Sequence, residues 1–134
     1  MKSGSSKPVE QSEVDRFKET RQRLSKELLA MAGLTTKRFL SLDGQAYRDG
    51  ALPAKTKEML GLIASVVLHC DDCISYHLIR CSEEGVSTPE MDEIFSIAMI
   101  VGGSITIPHI RRAADVWHEL VGDSTKPDSG GAGE

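Results

Sequence analysis

The chain predicts an all-α protein, and three observations carry that reading. No segment alternates apolar and polar residues with period two, and no pair of segments is joined by a hairpin turn. Apolar residues recur instead at helical spacing. Serine, proline and glycine punctuate the stretches as helix starts and stops.

Glu13 to Ala32 spaces Val14, Phe17, Leu24, Leu28 and Met31 as a helix does, with Ser12 as N-cap and Gly33 as the stop. Thr35 to about Arg48 predicts a weaker helix, interrupted at Gly44 and ended near Gly50. Pro53 sits where a first-turn proline is tolerated. It opens Ala54 to Leu68, which carries Met59, Leu60, Leu62, Ile63, Val66 and Val67 and is apolar on nearly every side. A further helix starts at Cys70 or Asp71 and runs to about Glu84, closed by Gly85. Ser87-Thr88-Pro89-Glu90 combines a capping box with an early proline and opens a helix to Val101, stopped by Gly102-Gly103. Pro108 then leaves two readings: a last helix beginning near it, or a helix from Ser104 kinked there, in either case reaching Val121.

One domain, Glu13 to Val121, is expected from the 134 residues. Met1 to Ser12 and Gly122 to Glu134 are rich in Gly, Ser, Lys and Pro and predict disordered tails. The net charge of −4 argues against a nucleic-acid surface. No apolar run is long enough for a membrane span. The polar first residues lack the apolar core of a signal peptide, so a cytoplasmic location is expected. Ala54 to Leu68 and Glu90 to Val101 are apolar around most of their circumference, more than a domain this small covers alone, which predicts a homo-oligomer.

Reactive groups concentrate in Cys70-Asp71-Asp72-Cys73-Ile74-Ser75-Tyr76-His77. A helix advances about 100° per residue, so positions i, i+3 and i+7 fall within about 60° and place two thiols and an imidazole on one face. Three cysteines are too few for a disulfide scaffold, and a Cys-x-x-Cys in a reducing compartment is more often redox-active or metal-binding. The positive end of the helix favours a thiolate, and His77 can take the Cys73 proton. Asp71 and Asp72 oppose ionisation by their charge. Metal binding is the rival, with His69 the nearest fourth ligand. Cys81 is excluded, because eleven residues of helix rise about 16 Å against a Zn–S bond of about 2.3 Å. An inert packed pair is the third reading. A thioredoxin-like site is disfavoured, because no βαβ unit is predicted. Cys81 reads as a small buried hydrophobe, Met59, Met91 and Met99 as core, and His109 and His118 as surface or packing residues without a partner in sequence.

The segment Glu58 to His77 resembles the signature of the alkylhydroperoxidase-D-like branch of the carboxymuconolactone decarboxylase family. A glutamate near the start of an apolar helix stands twelve positions before the Cys-x-x-Cys, and a histidine stands four after its second cysteine. Gly50-Ala51-Leu52, Gly85-Val86-Ser87 and Gly102-Gly103 match the surrounding punctuation, so the resemblance covers about Leu52 to Leu120. It implies a compact multi-helix domain assembling into trimers or hexamers, with peroxidase or disulfide-reductase activity. Cys73 would attack the peroxide, Cys70 would resolve, and His77 with Glu58 would relay the proton. An external dithiol or lipoyl-type reductant would reset the pair, with no nicotinamide or flavin, since no dinucleotide fingerprint is present. One position departs: relatives with peroxidase activity can carry a histidine between the cysteines, where this chain has Asp72. The alternatives are a non-catalytic redox-sensing or assembly module, and a lyase of the kind that names the family.

Overall fold

Helix signals written in the sequence decide most boundaries of the computed structural model, which describes residues 11–122. α1 (Glu13–Met31) begins where the Ser12 hydroxyl accepts the Asp15 N–H at 3.0 Å. α2 (Leu34–Ala46) runs straight through Gly44, contrary to the expected interruption. Gly44 has open space around its Cα, so it adds only the helix cost of an exposed glycine, about 1 kcal/mol. α2 then stops short of Arg48, with Tyr47 as its C-cap.

The turn from Tyr47 to Pro53 is tied down at both ends. Asp49 Oδ1 accepts the Ala54 N–H at 2.7 Å, and Lys57 Nζ donates to the Arg48 carbonyl at 2.7 Å. α3 (Ala54–Val67) follows with Pro53 as N-cap, one position earlier than the first turn. α4 (Asp71–Glu83) has Cys70 as its N-cap. α5 (Thr88–Gly102) carries the complete capping box of Ser87 and Glu90. Gly103, at φ 83°, turns the chain into a single 3₁₀ turn, Ser104–Thr106. α6 (Ile107–Val121) then starts with Pro108 in its first turn, so the helix begins at the proline and is not kinked by it. Among the described residues there is no strand, and no helix is long and apolar enough to cross a membrane. The predicted tails lie outside the described residues except for Gln11, Ser12 and Gly122.

The core lies among α3, α4, α5 and α6. Leu62 and Val66 of α3 meet Leu78 and Cys81 of α4, Ala98 of α5 and Trp117 of α6, all essentially sealed from solvent. α3 packs against α4 and α5, and α4 against α6. α1 joins through Val14 and Phe17, and its Val14 N–H donates to Glu119 at 2.9 Å. Trp117 fills the largest buried volume, and its indole N–H donates to Thr88 Oγ1 at 3.1 Å. Trp117→Ala is expected to cost about 3–5 kcal/mol in chemical denaturation at unchanged m-value. A loss below about 1 kcal/mol would show that this side chain does not hold the core.

The outer surface is unusually apolar. α2 buries no side chain, and Leu34, Phe39 and Leu42 are each more than 60% exposed. Leu24, Leu28, Leu29 and Met31 of α1 are exposed too, as are Ile97, Ile100 and Val101 of α5.

Candidate functional site

Glu58, on α3, is 1% exposed. A carboxylate so placed is costly unless charged or hydrogen-bonding partners meet it. α4 supplies two of them from one face, at positions i and i+3. His77 Nδ1 lies 2.8 Å from one Glu58 oxygen, and Arg80 Nε lies 3.4 Å from the other. Hydrogen bonding to Glu83, then the charge of Glu58, raises the Arg80 pKa and keeps its guanidinium positive despite partial desolvation.

With Nδ1–H donated to the carboxylate, Nε2 of His77 is the acceptor nitrogen of the ring. The Tyr47 hydroxyl stands 3.4 Å from it, a long donor contact, with the two rings tilted at 5.2 Å. Desolvation first, then the negative charges of Asp43 and Glu58, pushes the Tyr47 pKa up, so its hydroxyl keeps its proton. Tyr47, Glu58, Tyr76 and Arg80 line a cleft of about 330 Å³ beside this group.

Gly61, one turn beyond Glu58, makes the convergence possible. A Cβ there would sit 2.7 Å from the Tyr47 hydroxyl and 3.0 Å from His77 Nε2. Gly61→Ala is therefore expected to displace both rings, although alanine is the better helix former by about 1 kcal/mol. An unchanged His77 imidazole NMR signal in that variant would overturn this assignment.

Cys70 and Cys73 are joined as a disulfide, with Cα atoms 5.3 Å apart. Cys70 lies outside the helix as N-cap, and its sulfur accepts the Cys73 N–H at 3.2 Å. The shared face expected from i, i+3 and i+7 therefore holds for Cys73 and His77, one turn apart on α4, but not for Cys70. Cys73 is exposed and Cys70 half-buried.

The chain reaches Cys70 through a left-handed turn at His69, φ 59°. His69 N–H bonds to Val66 O at 3.0 Å and Cys70 N–H to Ser65 O at 3.1 Å, the double closure that usually places glycine at this position. His109, expected to lack a partner, has three: it stacks on His69 at 5.0 Å, its Nδ1 donates to Asp71 at 2.7 Å, and Arg112 Nη2 lies 3.2 Å from the same nitrogen. Arg112 pairs with the other Asp71 oxygen at 2.9 Å. Desolvation alone would raise the Asp71 carboxyl, but the His109 hydrogen bond and the Arg112 charge outweigh it and hold its pKa below the ordinary value. The charge of Asp71, expected to oppose a thiolate, is thus answered on the spot.

Of the four residues singled out from sequence, the structure joins Glu58 to His77 and Cys70 to Cys73. His77 directs its two nitrogens to Glu58 and Tyr47 rather than to a cysteine sulfur. Tyr47, Gly61, Arg80 and Arg112 went unnoticed, and His109 was read only as a surface or packing residue. Arg80 carried a signal, being one turn from His77, and so did Gly61, a glycine inside an otherwise strong helix. Tyr47 and His109 carried none, because they arrive from 30 and 38 residues away along the chain.

Cys81 is buried, and its thiol is pushed up to about 12, by desolvation first and the charge of Glu58 second. After reduction, iodoacetamide at neutral pH is expected to label Cys70 and Cys73 and to reach Cys81 only in denaturant. Labelling of Cys81 in the folded chain would contradict this. Among the described residues, no three His, Cys, Asp or Glu side chains gather as a metal site.

Residues 26–116 match the model of the carboxymuconolactone decarboxylase family. The fold is similar to a crystal structure of a protein of that family from Thermotoga maritima, described as a candidate in the antioxidative response. The TM-score is 0.76 at 51% identity, covering 80% of this chain and 91% of that one. It is also similar to a protein of the same family from Legionella pneumophila, with a TM-score of 0.69 and 29% identity over 79% of this chain and 97% of that one. A curated relative, uncharacterized protein 4 in the cox locus of Paracoccus denitrificans, is 27% identical over 84 residues, 63% of this chain and 76% of its own length.

Proposed function

Since this chain belongs to the carboxymuconolactone decarboxylase family, we propose that it is a cytoplasmic thiol-dependent peroxidase and disulfide oxidoreductase. The observation that carries the reading is the disulfide on the first turn of α4, one turn from a histidine held by a buried carboxylate. The antioxidative role suggested for the Thermotoga maritima neighbour supports it.

The cycle starts from the reduced pair. Cys73 thiolate attacks the outer peroxide oxygen, the O–O bond breaks, and the alcohol or water leaves with a proton. Cys73 becomes a sulfenic acid. Cys70 thiolate then attacks that sulfur, expels hydroxide as water on protonation, and closes the disulfide. An external dithiol, of lipoyl type, returns two electrons and two protons.

His77 Nε2 is the proton acceptor for Cys73, through one water or the Tyr47 hydroxyl. Glu58 keeps the opposite nitrogen protonated and stabilises the imidazolium that forms. Asp72 stands exposed between the cysteines and supplies no second base of the histidine kind.

The apolar faces of α1, α2 and α5 are the surfaces that self-association into a trimer or hexamer would cover. Sedimentation showing a stable monomer at micromolar concentration would remove the oligomer.

The deciding experiment adds one equivalent of peroxide to the reduced protein and reads the peptides around Cys70 and Cys73 by mass spectrometry. The expected product is an internal crosslink, lighter by two hydrogens and reversed by dithiothreitol. Unmodified thiols, or direct passage to sulfinic acid, would overturn the reading.

A further inference from the structure

Both chain neighbours of Cys70 are gripped from one residue of α6. His69, before it, stacks on the His109 ring with planes 4° apart. Asp71, after it, takes the His109 N–H at 2.7 Å and the Arg112 guanidinium at 2.9 Å. His69 is the one non-glycine residue with positive φ among those described. Such a conformation is uncommon outside glycine and persists where the surroundings over-determine it. Here the result is to present Cys70 as N-cap of α4, with its sulfur on the Cys73 N–H at 3.2 Å.

We propose that His109, acting with Asp71 and Arg112, is a positioning residue that holds Cys70 as the leaving sulfur when an external thiolate attacks Cys73. The proposal rests on the thiol cycle above and assigns the order of its reductive half. Two features select the sulfurs. Cys73 is the exposed partner of the disulfide, so an incoming thiolate reaches it first. Cys70 departs onto a backbone N–H at the positive end of a helix, with the carboxylate of its chain neighbour Asp71 already paired, and a better-stabilised leaving thiolate departs faster.

The electrons balance as follows. The attacking thiolate gives a pair to Cys73 sulfur, forming a mixed disulfide, and the Cys70–Cys73 bond breaks with its pair on Cys70. The second thiol of the reductant, deprotonated, attacks its own sulfur in that mixed disulfide. Cys73 leaves as thiolate, the reductant departs as its disulfide, and the two thiolates take up two protons.

The test uses the oxidised full-length chain, glutathione as attacking thiol and iodoacetamide as trap, with peptide mass spectrometry locating each adduct. Glutathione is expected on Cys73 and the alkyl group on Cys70, in about tenfold excess over the reverse. His109→Ala is expected to lower both this excess and the rate of reduction by dithiothreitol about tenfold. His109→Asn, whose amide still donates to Asp71, should recover part of the loss. Arg112→Gln, at an exposed position, should shift both readouts in the same direction without endangering the fold, which circular dichroism checks. Glutathione on Cys70 of the parent protein, or unaltered values in the folded His109 and Arg112 variants, would overturn the proposal alone. A parent disulfide that exchanges with no thiol would overturn both the proposal and the cycle beneath it.

Discussion

Cys73→Ser is expected to reduce peroxide turnover to background, a fall of at least about 10³-fold. A serine hydroxyl at the same place is hardly ionised near neutral pH and is a far poorer nucleophile than a thiolate. The position is exposed, so the exchange leaves the core untouched and the variant should melt with the reduced parent, which also lacks the disulfide. Cys70→Ser should behave differently. It retains the attacking thiol, so one equivalent of peroxide is consumed, but no internal partner closes the disulfide. The sulfenic acid then persists or oxidises further. A coupled peroxide assay with single-turnover controls separates the two variants. Sustained turnover in Cys73→Ser would remove Cys73 from the chemistry and, with it, the proposed order of attack and resolution.

The second large effect is expected at Glu58. Its carboxylate is sealed from water and meets His77 at 2.8 Å and Arg80 at 3.4 Å. Glu58→Leu removes the acceptor from both, leaving an imidazole N–H and a guanidinium facing an apolar side chain. Loss of one partner from a buried pair costs about 3–5 kcal/mol, and a denaturation curve should show a loss of that order. Glu58→Gln keeps an acceptor and nearly the same volume, so its stability cost is smaller. It removes the charge that stabilises the imidazolium, however, and the peroxide rate is expected to fall about 10²–10⁴-fold, the usual contribution of general acid–base catalysis. The contrast is the informative result. A glutamine variant with full activity would make Glu58 a structural partner of Arg80 and nothing more.

How much of this could be read from the chain depends on distance along it. The caps at Ser12 and at Ser87 with Glu90 involve atoms three residues apart, and both are found where the sequence places them. Gly44 misled, because local propensity marks a helix break while only surroundings decide whether the helix tolerates one. Glu58 and His77 were paired by resemblance to a known spacing, since nothing local says that α3 and α4 pack against each other. Tyr47 and Arg80 complete that pair from outside the motif, and without them it reads as a two-residue relay.

From the sequence alone came the six helical stretches, the thiol pair and His77 beside it, because caps, apolar periodicity and i+3 or i+4 spacing are encoded within one or two turns of chain; Glu58 came from the resemblance. Only the packed structure decided that Tyr47 closes on His77, that His109 and Arg112 answer the charge beside the disulfide, and that Cys70 stands outside the helix. Those contacts join residues 30 to 41 positions apart, and helix packing, not local preference, determines which distant side chains meet.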